Sequence, residues 1–222
     1  MRHRSLNRHI VANIELQRIA ELPGVRWVEP EMFFPVVLRA VPDDPLYADA
    51  WHLHATAFAA AGTAIGAEAA WDETLGLEPS GTPVRVAVLD DGFDLGHADM
   101  VFAQIGLDVS VEPRDTDPAP GPRDNHGTQT AGVIGAVGFN GLGVVGVCPA
   151  CEILPVRLIG AGGPPDLYTS GSAAAEAVEW AADNGAAVIN NSWGPPDGNR
   201  FDPFDPVASW PIPQALAEAL VY

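Results

Sequence analysis

Val84-Arg-Val-Ala-Val-Leu-Asp90-Asp91-Gly92 and Asp124-Asn-His126-Gly-Thr-Gln-Thr-Ala-Gly132 decide how this chain folds. The first is a short apolar run that ends abruptly in carboxylates and a glycine, the pattern of a buried strand stopped by turn chemistry. The second opens on a histidine and continues in small residues. Thr130, Val133, Ile134 and Val137 fall at i, i+3, i+4 and i+7, which predicts a helix. Gly132, Gly135 and Ala136 would let that helix pack close to neighbouring backbone. The alternation continues outward. Residues 66–71 predict a short helix and 152–159 a strand. Ala174, Ala177, Val178 and Ala181 mark a helix that Asn184-Gly185 stops, 186–190 reads as a further strand, and 213–220 starts one more helix. Strands alternating with helices imply parallel βαβ units. The predicted class is therefore α/β, a doubly wound, mostly parallel sheet with helices on both faces. In such sheets sites form at the carboxyl ends of the strands, where Asp90 and the 190–194 segment fall.

Upstream, residues 14–22 carry apolar positions at helical spacing until Pro23-Gly24, and Val25-Arg-Trp-Val28 reads as a strand. Residues 1–40 thus predict a small α+β tail, joined through the turn-forming Val41-Pro-Asp-Asp-Pro45 to a main domain over 41–222. Eleven basic residues against 29 acidic ones leave a net charge of −18, which argues against nucleic acid as a partner. No apolar run approaches the roughly 18 residues of a membrane span. The basic N-terminus lacks the apolar stretch of a secretory signal. Cys148 and Cys151 form a single CxxC, too few ligands for structural zinc. Two readings stay open for them: buried thiols, or a local disulfide in an exported protein.

Asp90 closes its strand directly, so its carboxylate can be shielded from water and accept a hydrogen bond from an imidazole. His126 stands 36 positions later, before Gly-Thr and a small-residue helix, and its ring can approach a strand end. Singly, Asp90 is a turn residue and His126 a structural histidine. Together, in this chain order, they are two members of a Ser-His-Asp hydrolytic site. Ser170, Ser172, Ser192 and Ser209 do not stand in a nucleophile's context.

The chain resembles the subtilisin family of serine proteases, and within it the kexin-like, proprotein convertase branch. Four segments carry the likeness: 86–99, 126–132, Gly143-Val-Val-Gly-Val-Cys-Pro149 and Asn191-Ser-Trp-Gly-Pro195. The likeness covers roughly 41–222, with 14–40 similar to the tail of the inhibitory prosegment. It implies that Asp90 is the triad aspartate and His126 the general base. Ser192, Trp193, Gly194 and Pro195 would form the strand edge that pairs with an extended polypeptide substrate. The branch prefers basic residues before the cleaved bond, which makes Asp91, Asp124 and Asp197 candidate acidic subsites. The likeness also implies a structural calcium ion. Asp44 and Asp99 would supply carboxylates, Asn140 its side chain, and Val137, Leu142 and Val144 their carbonyls, a hard-oxygen set suited to calcium.

The family's oxyanion-hole asparagine and nucleophile motifs do not occur within 222 residues, and helix 213–220 resembles the one leading into the oxyanion strand. The expectation is an N-terminal part of a serine endopeptidase, inactive alone, with apolar sheet surface left uncovered. Secretion or attachment to the cell envelope follows from the likeness only. Two rival readings are a degenerate subtilase that binds peptides without cutting them, and a calcium-binding protein with no peptide site.

Overall fold

The apolar run becomes β1, Arg85–Asp90, the strand around which the sheet is built. The computed structural model describes residues 18–26, 41–54, 63–160, 169–194 and 214–222. Residues 1–39 and 40–222 form separate compact units. In the first, residues 18–20 are helical and Gly24 turns the chain at φ +87°. Val25 and Arg26 are not in a strand; residues 14–17, 27 and 28, where the rest of the predicted helix and strand fall, lie outside the described residues.

The second unit contains, in order, a 3-10 turn Tyr47–Asp49, α1 Ala67–Trp71, β1, β2 Leu107–Asp108, α2 His126–Gly135, β3 Glu152–Arg157, α3 Gly171–Asp183, β4 Val188–Asn191 and α4 Gln214–Ala219. The strands form one parallel sheet in the order β2-β3-β1-β4. β1 is buried along almost its whole length because both its faces are covered, which is why its sequence runs apolar without alternation. Ala87 and Leu89 point to a cluster with Leu154, Val156 and the α3 residues Ala174, Ala177, Val178 and Ala181, capped by Ala219 of α4. Val86 and Val88 point the other way, to Phe93, Phe102, Ile153 and Ala131 of α2. Helices therefore pack on both faces, and the α/β class read from the sequence is the observed one.

Two departures have physical causes. β2 is only two residues long and was not predicted. β3 carries Pro155 in its centre, which has no N–H to donate. On that side Ile153 exchanges bonds with Val101 and Ala103, and Arg157 O accepts from Val109 N; between them residues 104–106 leave the ladder. The predicted apolar face of α2 is only partly the buried one: Ile134 packs against the cluster around Ile153, but the rest does not. Val133 is exposed, and Val137 lies beyond the helix end; Gly127, Ala131 and Gly135 line the face against the sheet. Small residues are needed there because a Cβ on Gly127 would stand 2.5 Å from Gly92 O, and one on Gly135 2.8 Å from Ile153 Cδ1. Gly132 faces open space. At the other edge, Val188 of β4 is exposed.

Candidate active site

Asp90 is the last residue of β1, and His126 the first of α2. The close seating of α2 brings the two together. His126 Nδ1 lies 2.8 Å from Asp90 Oδ1 and 3.0 Å from Oδ2, so the ring donates its Nδ1–H to the carboxylate. Asp90 is 1% exposed, and its Oδ1 also accepts from Asp91 N at 2.8 Å. The His126 side chain is 56% exposed, open to an incoming group. Burial pushes the Asp90 carboxyl above the usual carboxylate range, offset in part by the hydrogen bonds it accepts from His126 and Asp91 N. His126 is raised in turn, chiefly by its hydrogen bond to Asp90 and against the effect of its own partial burial. With Nδ1–H held by Asp90, the other ring nitrogen is the basic one, as a general base requires.

Asp91 meets the amino end of α2. Its carboxylate is buried and accepts from His126 N at 3.2 Å and Gly127 N at 2.7 Å. It caps the amino end of α2, where free N–H groups and the helix dipole favour an anion. Asp124 is likewise occupied: its Oδ2 accepts from Arg157 Nη2 at 3.0 Å and Gly121 N at 3.1 Å, and its side chain is 6% exposed. Both carboxylates are thus engaged within the chain, Asp91 by backbone N–H groups and Asp124 by Arg157. Ser192 Oγ accepts from Asn190 Nδ2, Trp193 packs against the α3 side of the sheet, and Gly194 faces open space, all just past the edge strand β4. Pro195 and Asp197 lie outside the described residues.

Asp44 and Asp99 are both buried and converge on the 137–144 loop. Asp44 Oδ2 accepts from Phe139 N at 2.8 Å, while its Oδ1 is buried without a partner. Asp99 accepts from Asn140 Nδ2 at 2.9 Å and Val144 N at 3.1 Å, and Val137 N donates to its carbonyl. Asn140 Oδ1 accepts from Leu142 N, so the side chain is turned with its amide nitrogen, not its oxygen, toward Asp99. Among the described residues, no three His, Cys, Asp or Glu side chains converge as metal ligands. A cation here would depend on carbonyl and amide oxygens beside the two carboxylates. Cys148 and Cys151 are joined in a disulfide, which settles the two readings left open for them.

Sequence reading missed Arg157. It ends β3 in register with Asp90 and bonds Asp91 O, Asp108 and Asp124. A charge set inside the otherwise apolar 153–159 stretch was the available signal.

A model described as Subtilase family (Peptidase_S8) matches residues 81–220. The chain is 37% identical over 203 residues to a protein named calcium-dependent protease from Trichormus variabilis, covering 86% of this chain and 28% of that protein. It is 33% identical over 205 residues to fervidolysin from Fervidobacterium pennivorans, covering 78% of this chain and 26% of that one. The chain thus spans under a third of the length of these relatives. Among solved structures, a protease from Pseudoalteromonas arctica superimposes with a TM-score of 0.56 at 30% identity, over 70% of this chain and 51% of that one. Motif, fold and relatives agree: the chain belongs to the subtilase family.

Proposed function

We propose that the complete protein is a serine endopeptidase, that residues 1–40 are a prosegment-like piece, and that 41–222 form the amino-terminal part of its catalytic domain. The observation that carries this reading is the 2.8 Å contact between His126 Nδ1 and Asp90 Oδ1. Asp90 fixes the imidazole tautomer and stabilises the imidazolium. His126 takes the proton of a serine contributed by chain beyond Tyr222. That serine attacks a peptide carbonyl to give an acyl-enzyme, and His126 then protonates the leaving amine. An extended polypeptide would lie along 192–195, where chain leaving an edge strand offers backbone groups for pairing. The kexin-like affinity rests on the four segments 86–99, 126–132, 143–149 and 191–195, and no preference for basic side chains is part of the proposal, since Asp91 and Asp124 are engaged within the chain.

A structural calcium ion belongs to the same reading. The residues fit it through the buried, partnerless Asp44 Oδ1, because a desolvated carboxylate oxygen is costly unless something satisfies it. Asp44, Asp99 and Asn140, with the carbonyls of Val137, Leu142 and Val144, would hold the ion. It would supply positive charge that stiffens a loop already twisted by positive φ at Phe139, Gly141 and Gly143. Release from the cytoplasm is also proposed, since disulfides such as Cys148–Cys151 persist in oxidising compartments.

The test is peptide hydrolysis by the complete polypeptide with His126→Ala beside it. The variant should lose about 10⁶-fold in kcat, as subtilisin, a member of the family, does. Activity that survives the substitution rules the reading out.

A further inference from the structure

We propose that Arg157 is a positioning residue that holds His126 against Asp90 by tying together the two chain segments that deliver them. The inference rests on the reading of Asp90 and His126 as the catalytic pair. Arg157 touches neither side chain. Its three guanidinium nitrogens instead reach three separate segments. Nε donates to Asp91 O at 3.1 Å, on the turn just past Asp90. Nη2 donates to Asp124 Oδ2 at 3.0 Å, two residues before His126. Nη1 donates to Asp108 Oδ2 at 3.3 Å, at the end of β2.

The geometry matters because of what lies between. Residues 109–125 run without a helix or strand from β2 to α2, and a stretch that long needs anchors to hold its far end in place. Asp124 is the anchor nearest the histidine. Asp108 is fixed independently, since its Oδ1 accepts from Ser110 N at 2.7 Å and Ser110 Oγ at 2.6 Å. Arg157 itself grows from a sheet strand in register with Asp90, so the sheet is the ruler against which the loop is set. The three side chains are 14%, 3% and 6% exposed for Arg157, Asp108 and Asp124, so little water competes for these bonds. Gly121 allows the approach: a Cβ there would stand 2.7 Å from Asp124 Oδ2 and 3.3 Å from Arg157 Nη2. Lysine, a point charge, cannot span three partners with a planar fork.

The experiment reads the His126 Nδ1–H proton by NMR in the 222-residue chain, as its rate of exchange with water. Asp90→Asn is the control for the pair itself. Arg157→Gln should accelerate exchange by roughly tenfold or more. Because that variant leaves Asp108 and Asp124 as unpaired buried charges, a second variant, Arg157→Met with Asp108→Asn and Asp124→Asn, removes cation and anions together and is expected to keep the fold. It too should exchange faster, since the fork is gone although the charges balance. If it exchanges at the rate of the parent chain while Asp90→Asn accelerates, Arg157 serves only charge balance and the proposal fails with the catalytic pair intact. If Asp90→Asn itself leaves the rate unchanged, the pair and the proposal fall together.

Discussion

Gly127→Ala probes the contact that seats α2 against the turn after β1. The added Cβ would stand 2.5 Å from Gly92 O, 3.0 Å from Asp90 Cβ and 3.1 Å from Asp91 Oδ1. Ordinary carbon contacts lie near 3.5–4.0 Å, so α2 must retreat by about 1 Å or the turn after β1 must yield. Neither is a flexible side-chain tip. Overpacking of this kind costs about 1–3 kcal/mol. The retreat also stretches the 2.7 Å bond from Gly127 N to the Asp91 carboxylate, a charge-assisted bond of about 1.5–3 kcal/mol if lost. Alanine's better helix propensity returns about 1 kcal/mol. The net expectation is a loss of about 2 kcal/mol or more. In urea unfolding followed by circular dichroism, with a slope of about 2 kcal/mol per molar, the midpoint should fall by about 1 M. A midpoint equal to that of the parent chain would refute the close seating of α2 on Gly92, and with it the explanation of how His126 reaches Asp90.

Gly132→Ala on the same helix should act in the opposite direction. Its Cβ meets nothing within 4 Å, so propensity alone should stabilise by about 0.5–1 kcal/mol, read as a higher urea midpoint. Asp91→Ala removes both bonds at the amino end of α2 and should cost about 1.5–3 kcal/mol in the same assay; an unchanged midpoint would remove Asp91 from that role. Calcium should raise the melting temperature in differential scanning fluorimetry and a chelator should reverse it. Asp44→Asn should abolish the difference, and equal melting of the parent chain with and without calcium would remove the ion from the proposal. The raised His126 pKa means that protonation favours the folded state. That contribution is full below the ordinary histidine value of about 6.5 and fades as pH rises through the raised folded value. Urea midpoints taken across that window should fall more in the parent chain than in Asp90→Asn; parallel curves would contradict the linkage.

The parts legible in the sequence were those with strong local signals. β1 is an uninterrupted apolar run cut by Asp90-Asp91-Gly92, and α3 is an alanine-rich helix stopped by Asn184-Gly185, with Gly185 at φ +79°. What escaped was information that exists only in three dimensions. β2 is two residues long and carries no period. The buried face of α2 is written in glycine and alanine, which a hydrophobicity pattern undervalues against the exposed Val133. Adjacent carboxylates look alike in sequence, yet Asp90 meets the ring and Asp91 the helix end. Asp124 reads as free acid until Arg157, 33 positions later, arrives beside it.

The central claim is that the Asp90 carboxylate accepts the His126 Nδ1–H, and the ring's own titration tests it most directly. Following the His126 ring by NMR against pH should give a midpoint above the ordinary histidine value, and Asp90→Asn should move that midpoint down. A midpoint at or below the ordinary value in the parent chain, left in place by the substitution, would contradict the account.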